Sequence, residues 1–268
     1  MAIEVFNRYE KKYIIDEKTL DFLTTRMSSY MRTDKYNKDS EFYNIANVYY
    51  DTKNDELIRK SIEKPVYKEK LRLRSYGVPQ TSDTVFLEIK KKYNGLVNKR
   101  RTKIILQDAY NLIEEGVQPD ISKCSNVQIM NEIEYFLQTY KLEPKVYITY
   151  DRKAFYAVDD FDFRVTFDTN IRTRRKDVRL DAGNHGDLLI SNDLWVMEVK
   201  TSISVPVWFS ALLSEACAYS SSFSKYGTEY KKFIKNQDTM NIIRGDDVIC
   251  SKQFLKQHQY QPKVQSLV

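Results

Sequence analysis

Histidine, glycine, cysteine and long apolar runs are all scarce in this 268-residue chain, and each shortage removes a class of chemistry. The two histidines, His185 and His258, sit in a Gly/Asn/Asp loop and a polar tail, and neither lies in a segment resembling a nucleophile elbow. A Ser-His-Asp or Cys-His mechanism therefore has no foundation. The seven glycines form neither GxGxxG nor GxxxxGK[ST], so a bound phosphate must be held by side chains. Cys124, Cys217 and Cys250 are far apart, odd in number and without histidines at metal-binding spacing, which excludes a disulfide framework and a zinc site and reads as reduced thiols. The N-terminal MAIEVFNRYEKKYI has no apolar signal core, and VWFSALLSEACAY is short and contains Glu215. Neither secretion nor a membrane span is supported, and a soluble cytoplasmic chain is expected.

What the chain has is charge and β-pattern. Lys and Arg number 43 against 37 Asp and Glu, and the net charge of +6 suits a protein that handles anions but is modest for a dedicated DNA binder. Period-two segments rich in Tyr, Val, Ile and Phe occur near 8–15, 42–50, 65–76, 84–93, 97–106, 145–158, 161–170 and 194–201, which predicts at least eight strands. Helical patterns cover 17–31 after an Asp16 cap, 107–115 ending at Gly116, 125–140, and 206–218 opened by Pro206. The helices are fewer than the strands and do not alternate with them. Short turns, NG at 94–95 and DDFD at 159–162, join consecutive strands as hairpins, so the expected fold is α+β: an antiparallel sheet or barrel with added helices. No repeat or linker divides the chain, and the region after about 236 reads as polar and irregular.

The strands sort their charges. In YKEKLRLRSYG, Lys68, Lys70, Arg72 and Arg74 share one parity against Leu71 and Leu73. The same holds for Arg8, Glu10 and Lys12; for Glu88 and Lys90 against Leu87 and Ile89; and for Lys99, Arg101 and Lys103. It recurs in Tyr150 and Arg152, in Arg164, Thr166 and Asp168 against Val165 and Phe167, and in Glu198 and Lys200 against Met197 and Val199. Two arrangements fit: a wet charged face with the apolar face on the helices, or a barrel with a charged interior and helices outside. Exposed faces usually mix Thr, Ser and both charge signs, whereas Arg, the bidentate partner of phosphate, dominates several strands here. A cationic enclosure would attract a multiply charged anion, and Glu10, Glu88 and Glu198 among the cations are suited to Mg2+ or Mn2+ bridging phosphate oxygens.

In this order along the chain, RYEKKY, the NVYYDT turn, KLRLRSYG, VFLEIKKK followed by KRR, YDRKAFY, FRVTFDTNI, MEVKT and SSFSKY resemble the VTC domain. This is the polyphosphate polymerase domain of the vacuolar transporter chaperone group, within the triphosphate tunnel metalloenzyme fold, and the resemblance covers roughly residues 5–235. It implies a tunnel domain over 1–235 with a C-terminal extension at 236–268, an eight-stranded antiparallel β-barrel tunnel with a charged interior and helices outside, and transfer of the terminal phosphoryl of ATP to inorganic polyphosphate. By the matching motifs, Arg72, Arg74, Lys90, Arg152 and Arg164 would clamp phosphates, with Lys70, Arg101 and Lys200 beside them. Lys12 would contact the nucleotide phosphates. Lys225, at the start of a helical stretch that includes Tyr230 and Phe233, would lie by the transferred group and act with Arg72 and Arg74. Glu198, seconded by Glu10, would hold Mn2+ or Mg2+.

The wider superfamily's hydrolases and cyclases begin with Glu-x-Glu-x-Lys, whereas this chain has Arg8-x-Glu10-x-Lys12. With one acidic ligand fewer, the polymerase gains on the triphosphatase or cyclase. Relative to the fungal members, no inositol-phosphate-sensing domain or transmembrane helix is seen, so regulation and export do not carry over; a membrane-bound partner remains compatible. The alternatives are a tunnel triphosphatase and a non-catalytic polyanion-binding module, since cationic grooves with aromatics also hold single-stranded nucleic acid. Nucleic acid is not the expected partner, because most of the 20 Tyr and 13 Phe fall in strand patterns proper to a core.

Overall fold

The computed structural model describes residues 5–34, 36–37, 42–120 and 124–243. The strands are β1 (Val5–Asp16), β2 (Met31–Thr33), β3 (Tyr43–Thr52), β4 (Tyr67–Tyr76), β5 (Thr84–Tyr93), β6 (Leu96–Ile105), β7 (Leu142–Ala157), β8 (Arg164–Arg174), β9 (Asp187–Leu188), β10 (Leu194–Thr201) and β11 (Ser220–Ser221). All belong to one 11-stranded sheet. Around it the order runs β7-β3-β4-β5-β6-β1-β10-β8, and β8 pairs back onto β7, so eight antiparallel strands close a barrel. Those eight are the eight predicted from period two.

Closure puts the two faces of every strand in different media. The helices are α1 (Glu17–Met27), α2 (Glu56–Ile62), α3 (Leu106–Tyr110, continued by a π-helical turn over Asn111–Glu115), α4 (Val127–Thr139), α5 (Val207–Glu215) and α6 (Lys225–Ile243). Leu71, Leu73, Leu87, Ile89 and Ile104 face outward into one apolar core with Leu106 of α3 and Ile129, Ile133 and Phe136 of α4. Tyr13, Ile15, Val165, Phe167, Met197 and Val199 face outward into a second, with Leu23 and Met27 of α1 and Phe209 and Leu212 of α5. The apolar parity thus lies outside under helices, which leaves the charged parity inside. Of the two arrangements open in the sequence, the charged interior is the one formed.

Local chemistry sets the boundaries. Asp16 caps α1 by accepting from the Thr19 amide at 2.8 Å. The β5–β6 hairpin turns on Asn94 and Gly95, both with positive φ (43° and 87°), as a two-residue Asn-Gly turn requires. Helix α1 stops at Met27, short of the predicted 31, because buried Met31 begins β2 and pairs with Ala157 of β7. The short α2 was not foreseen. Cys124 and Cys217 are unbridged thiols; Cys250 and His258 lie outside the described residues. No helix of the described residues is long and apolar enough to cross a membrane.

The chain divides into two compact units, Met1–Gly227 and Thr228–Val268. The barrel and the site below belong to the first. In the second, α6 continues to Ile243 where an irregular chain was expected from 236; the remainder of that extension, 244–268, lies outside the described residues.

Candidate active site

Inside the barrel the cations gather around a few carboxylates in two groups. The first centres on Glu88 of β5, whose register opposite Arg72 of β4 and Arg101 of β6 follows from the Asn-Gly hairpin and its neighbour. Arg72 Nε donates to Glu88 at 2.8 Å, Lys99 Nζ lies 3.3 Å away, and Arg74 Nε 3.8 Å. Arg72 also donates to the Tyr49 hydroxyl (2.8 Å), and Arg74 to the Asn47 side-chain oxygen (2.9 Å). Burial opposes the charge on Glu88, yet Arg74, Lys99 and Arg72 outweigh it and hold the carboxyl well below its usual range.

The second group spans β1, β7, β8, β10 and the first residue of α6. Arg152 makes a bidentate pair with Asp168 (2.6 and 2.7 Å) and reaches Glu198 at 3.3 Å. Lys12, Lys200 and Lys225 lie 3.3, 3.1 and 3.4 Å from Glu198, and Lys225 Nζ is 2.5 Å from Asp168. Glu198 therefore carries four cations. Two links join the groups. Arg74 donates to the Tyr150 hydroxyl (3.3 Å), over whose ring Lys225 and Arg152 sit at 4.3 and 5.1 Å. Lys90 pairs with Glu10 at 2.7 Å, and Glu10 faces Lys200 across the β1–β10 ladder.

Lys225 is delivered by its surroundings. Strand β11 pairs with Lys12 and Tyr13, and the next turn starts α6. There the Tyr226 hydroxyl donates to Asp51 (3.2 Å), and its ring packs 5.0 Å from that of Tyr49. Burial works against the Lys225 ammonium, but Asp168 and Glu198 more than offset it and push its pKa up, so it is a fixed cation rather than a base.

The remaining lysines show how incomplete the internal compensation is. Burial and the neighbouring Lys90, Lys68 and Lys12 bring Lys70 down to about 7. Burial brings Lys200 down to about 8 despite Glu198, and Lys99 is pushed well down despite Glu88. Glu10 falls to about 2: burial alone would raise it, but Lys90 leads a set of cations that outweighs burial and the repulsion of Glu198. The interior holds more positive charge than its carboxylates neutralise, so an added polyanion would be stabilised there.

Of the residues chosen from sequence, Lys12, Arg72, Arg74, Lys90, Arg152, Lys200, Lys225, Glu10 and Glu198 share this network. Lys70 lies on the same wall, 5.4 Å over the Tyr226 ring, and Arg101 lies 4.6 Å over Phe86. Arg164 stands apart. It is three residues beyond Phe161, whose carbonyl accepts from it at 3.3 Å, and Asp34 is its ion-pair partner at 3.7 Å. Asp168 was given no role and Glu88 was named only among carboxylates suited to a metal, yet both are fully buried hubs; their parity with cations was the available signal. For a metal, Glu10 and Glu198 sit on adjacent strands, and no three acidic, His or Cys side chains gather into a metal cage among the described residues. Two carboxylates completed by phosphate oxygens fit Mg2+ or Mn2+ better than an all-protein cage would.

A family model described as the VTC domain matches residues 7–234. Vacuolar transporter chaperone complex subunit 4 of Trypanosoma brucei brucei is 26% identical over 83% of this chain and 34% of its own length. The Schizosaccharomyces pombe protein of the same name is 21% identical over 67% of this chain and 28% of its own. The chain thus spans about a third of those relatives. Among solved structures, a putative adenylate cyclase from Bacillus halodurans superposes with a TM-score of 0.51 at 12% identity, covering 83% of this chain and 96% of that one. A putative adenylyl cyclase from Hippeastrum, described as having a dominant triphosphatase activity, gives 0.50 at 14% identity, covering 86% and 96%. At these identities the structural likeness establishes the barrel fold.

Proposed function

The chain belongs to the VTC domain family, and from that premise we propose that it is a polyphosphate polymerase, transferring the γ-phosphoryl group of ATP to a growing inorganic polyphosphate chain and releasing ADP. The observation that carries this reading is the closed barrel in which Arg72, Arg74, Lys90, Arg152, Lys200 and Lys225 converge on too few carboxylates to neutralise them. Phosphoryl transfer asks a protein mainly for positioning and for charge stabilisation of the moving group.

In the proposed reaction the terminal oxygen of the polyphosphate chain attacks the γ-phosphorus in line, the bond from that phosphorus to the β–γ bridging oxygen breaks, and ADP leaves with the electron pair. The acceptor is already an anion, so no side-chain nucleophile or general base is required. Arg72, Arg74 and Lys225 stabilise the transferred group, while Lys12, Lys90, Arg152 and Lys200 hold the flanking phosphates. Arg101 acts beside Phe86, Arg164 at the start of β8, and Lys70 opposite Lys90 in the β4–β5 ladder. Mn2+ or Mg2+, held by Glu198 with Glu10 and by phosphate oxygens, would supply further charge neutralisation. On this reading the working domain is 1–235 and acts in the cytoplasm, an arrangement compatible with a membrane-bound partner.

The test is incubation with ATP and Mn2+ or Mg2+, following ADP release and resolving phosphate products by length. Long chains are expected. Lys225→Ala should lower turnover by about 100-fold or more while ATP still binds, and Glu198→Gln should abolish synthesis. Orthophosphate without chains would replace the polymerase by a tunnel triphosphatase, and absence of turnover with either metal would leave a polyanion-binding module.

A further inference from the structure

At one mouth of the barrel, β3, β4 and β5 present aromatic rings beside the cations, with Lys103 facing Phe86 across the β5–β6 ladder. Tyr43, Tyr76 and Phe86 continue the inward-facing parity of Asn47, of Arg72 and Arg74, and of Glu88, one or two steps toward the end of their strands. Tyr43 lies opposite Arg152 in the β3–β7 ladder, so this collar abuts the second charged group. Its rings touch: Tyr43 to Tyr76 and Tyr76 to Phe86 at 5.9 Å each, with Tyr36 stacked on Tyr76 at 5.9 Å and 10°. Arg101 lies over the Phe86 ring at 4.6 Å. Tyr36 and Tyr76 are 56% and 45% exposed, a large apolar area to leave in water at the opening of a cationic cavity. At the opposite end of the β4–β5 pair, Lys68 faces Lys92 across the ladder, chemistry suited to bare phosphate.

We propose that the collar of Tyr36, Tyr43, Tyr76 and Phe86 is a nucleobase subsite, stacking the base of a nucleoside triphosphate whose phosphates enter the cationic interior beside it. The proposal rests on the reading of the barrel as a nucleotide-dependent phosphoryl transferase, and it names the part of the site that tells a nucleotide from an inorganic polyphosphate. Bare phosphate has no π-face and gains nothing from four rings, whereas a base stacks on them whatever its edge, so the subsite favours nucleotides as a class over any one base.

The test is calorimetric binding of ATP and of inorganic tripolyphosphate to the wild-type chain and to Tyr76→Ala, Tyr36→Ala and Tyr76→Phe, with chain synthesis assayed alongside. Tyr76→Ala and Tyr36→Ala should weaken ATP by about 5- to 150-fold and leave tripolyphosphate within twofold, while Tyr76→Phe, which keeps the ring, binds both like the wild type. ATP affinity unmoved in both alanine variants, or ATP and tripolyphosphate weakened in parallel, overturns the collar even if chains are still made. Selective loss of ATP in a protein that makes no chains upholds the collar and rejects the polymerase. A wild-type protein that binds tripolyphosphate but not ATP overturns both.

Discussion

Lys70 shows what a single residue contributes to a charged enclosure. Its ammonium is brought down to about 7, first by burial and then by Lys90, Lys68 and Lys12, with Asp51 pulling the other way. Near neutral pH it is therefore part-charged, and an arriving polyphosphate, by supplying the missing counter-charge, takes up a proton with it. The sign follows: affinity for tripolyphosphate falls as pH rises through about 7, by at most about tenfold per pH unit for one linked proton. In Lys70→Arg the guanidinium keeps its charge, so the fall between about pH 6 and about pH 8 should flatten. The ligand's own titration is common to both proteins and cancels in the comparison. Equal slopes for the two would remove Lys70 from the phosphate path.

At the scale of elements, the placement of Lys225 depends on a carboxylate outside the phosphate path. Helix α2 is preceded by Asp55, whose backbone is left-handed and whose side chain does not cap it. Asp51, at the end of β3, caps it instead: its carboxylate accepts from the amides of Thr52 (2.8 Å), Leu57 (2.9 Å) and Ile58 (2.8 Å) and from the Tyr226 hydroxyl (3.2 Å). One buried group thus ties β3, α2 and the first turn of α6 together. Removing it in Asp51→Ala strands several donors and should cost about 2–4 kcal/mol in chemical denaturation. Tyr226→Phe deletes only the link to α6; stability should change by about 1 kcal/mol or less, while turnover falls because Lys225 is less firmly placed. If Tyr226→Phe lost stability as Asp51→Ala does, the hydroxyl would be structural and the positioning role would fail. The same pair marks the limit of what sequence can show. The barrel strands were legible because each alternates a core residue with a charge, as Leu71 and Leu73 do with Arg72 and Arg74, and because Asn94-Gly95 has one favoured turn. Helix α2 was not, since seven residues make a marginal helix by themselves and this one is held by Asp51, by Thr52 Oγ1 at the Glu56 amide, and by the burial of Leu57 and Ile58. Glu88 and Asp168 were visible as same-face charges within the β4–β5–β6 and β7–β8 hairpins, but the gathering of Lys12, Glu198 and Lys225 around Arg152 and Asp168 depends on the β1–β10 and β10–β8 pairings, which no local pattern encodes. Arg164 shared the right parity and stands opposite Lys200 in the β8–β10 ladder, yet its guanidinium pairs with Asp34, because parity gives the face and not the partner.

For the whole molecule, closure turns ordinary strand faces into a device that stores electrostatic cost. The apolar sides are spent outside on two helix-covered cores, and the inside holds cations that Glu10, Glu88, Asp168 and Glu198 only partly offset. Enclosed charges are screened weakly by salt, so simple ions cannot relieve them as they would on a surface. A polyanion that enters the barrel can. At a tripolyphosphate concentration of about 100 times Kd, mass action adds about 2.7 kcal/mol, which for a chain of this size raises Tm by roughly 5–10 °C. Sodium chloride at matched ionic strength should move Tm by no more than about a degree or two. Thermal unfolding followed by circular dichroism in the two salts separates the cases. An equal rise in both would mean that the interior charges are already solvated and screened like a surface, and the barrel would then hold no preference for the phosphate chain that its arginines and lysines are arranged to meet.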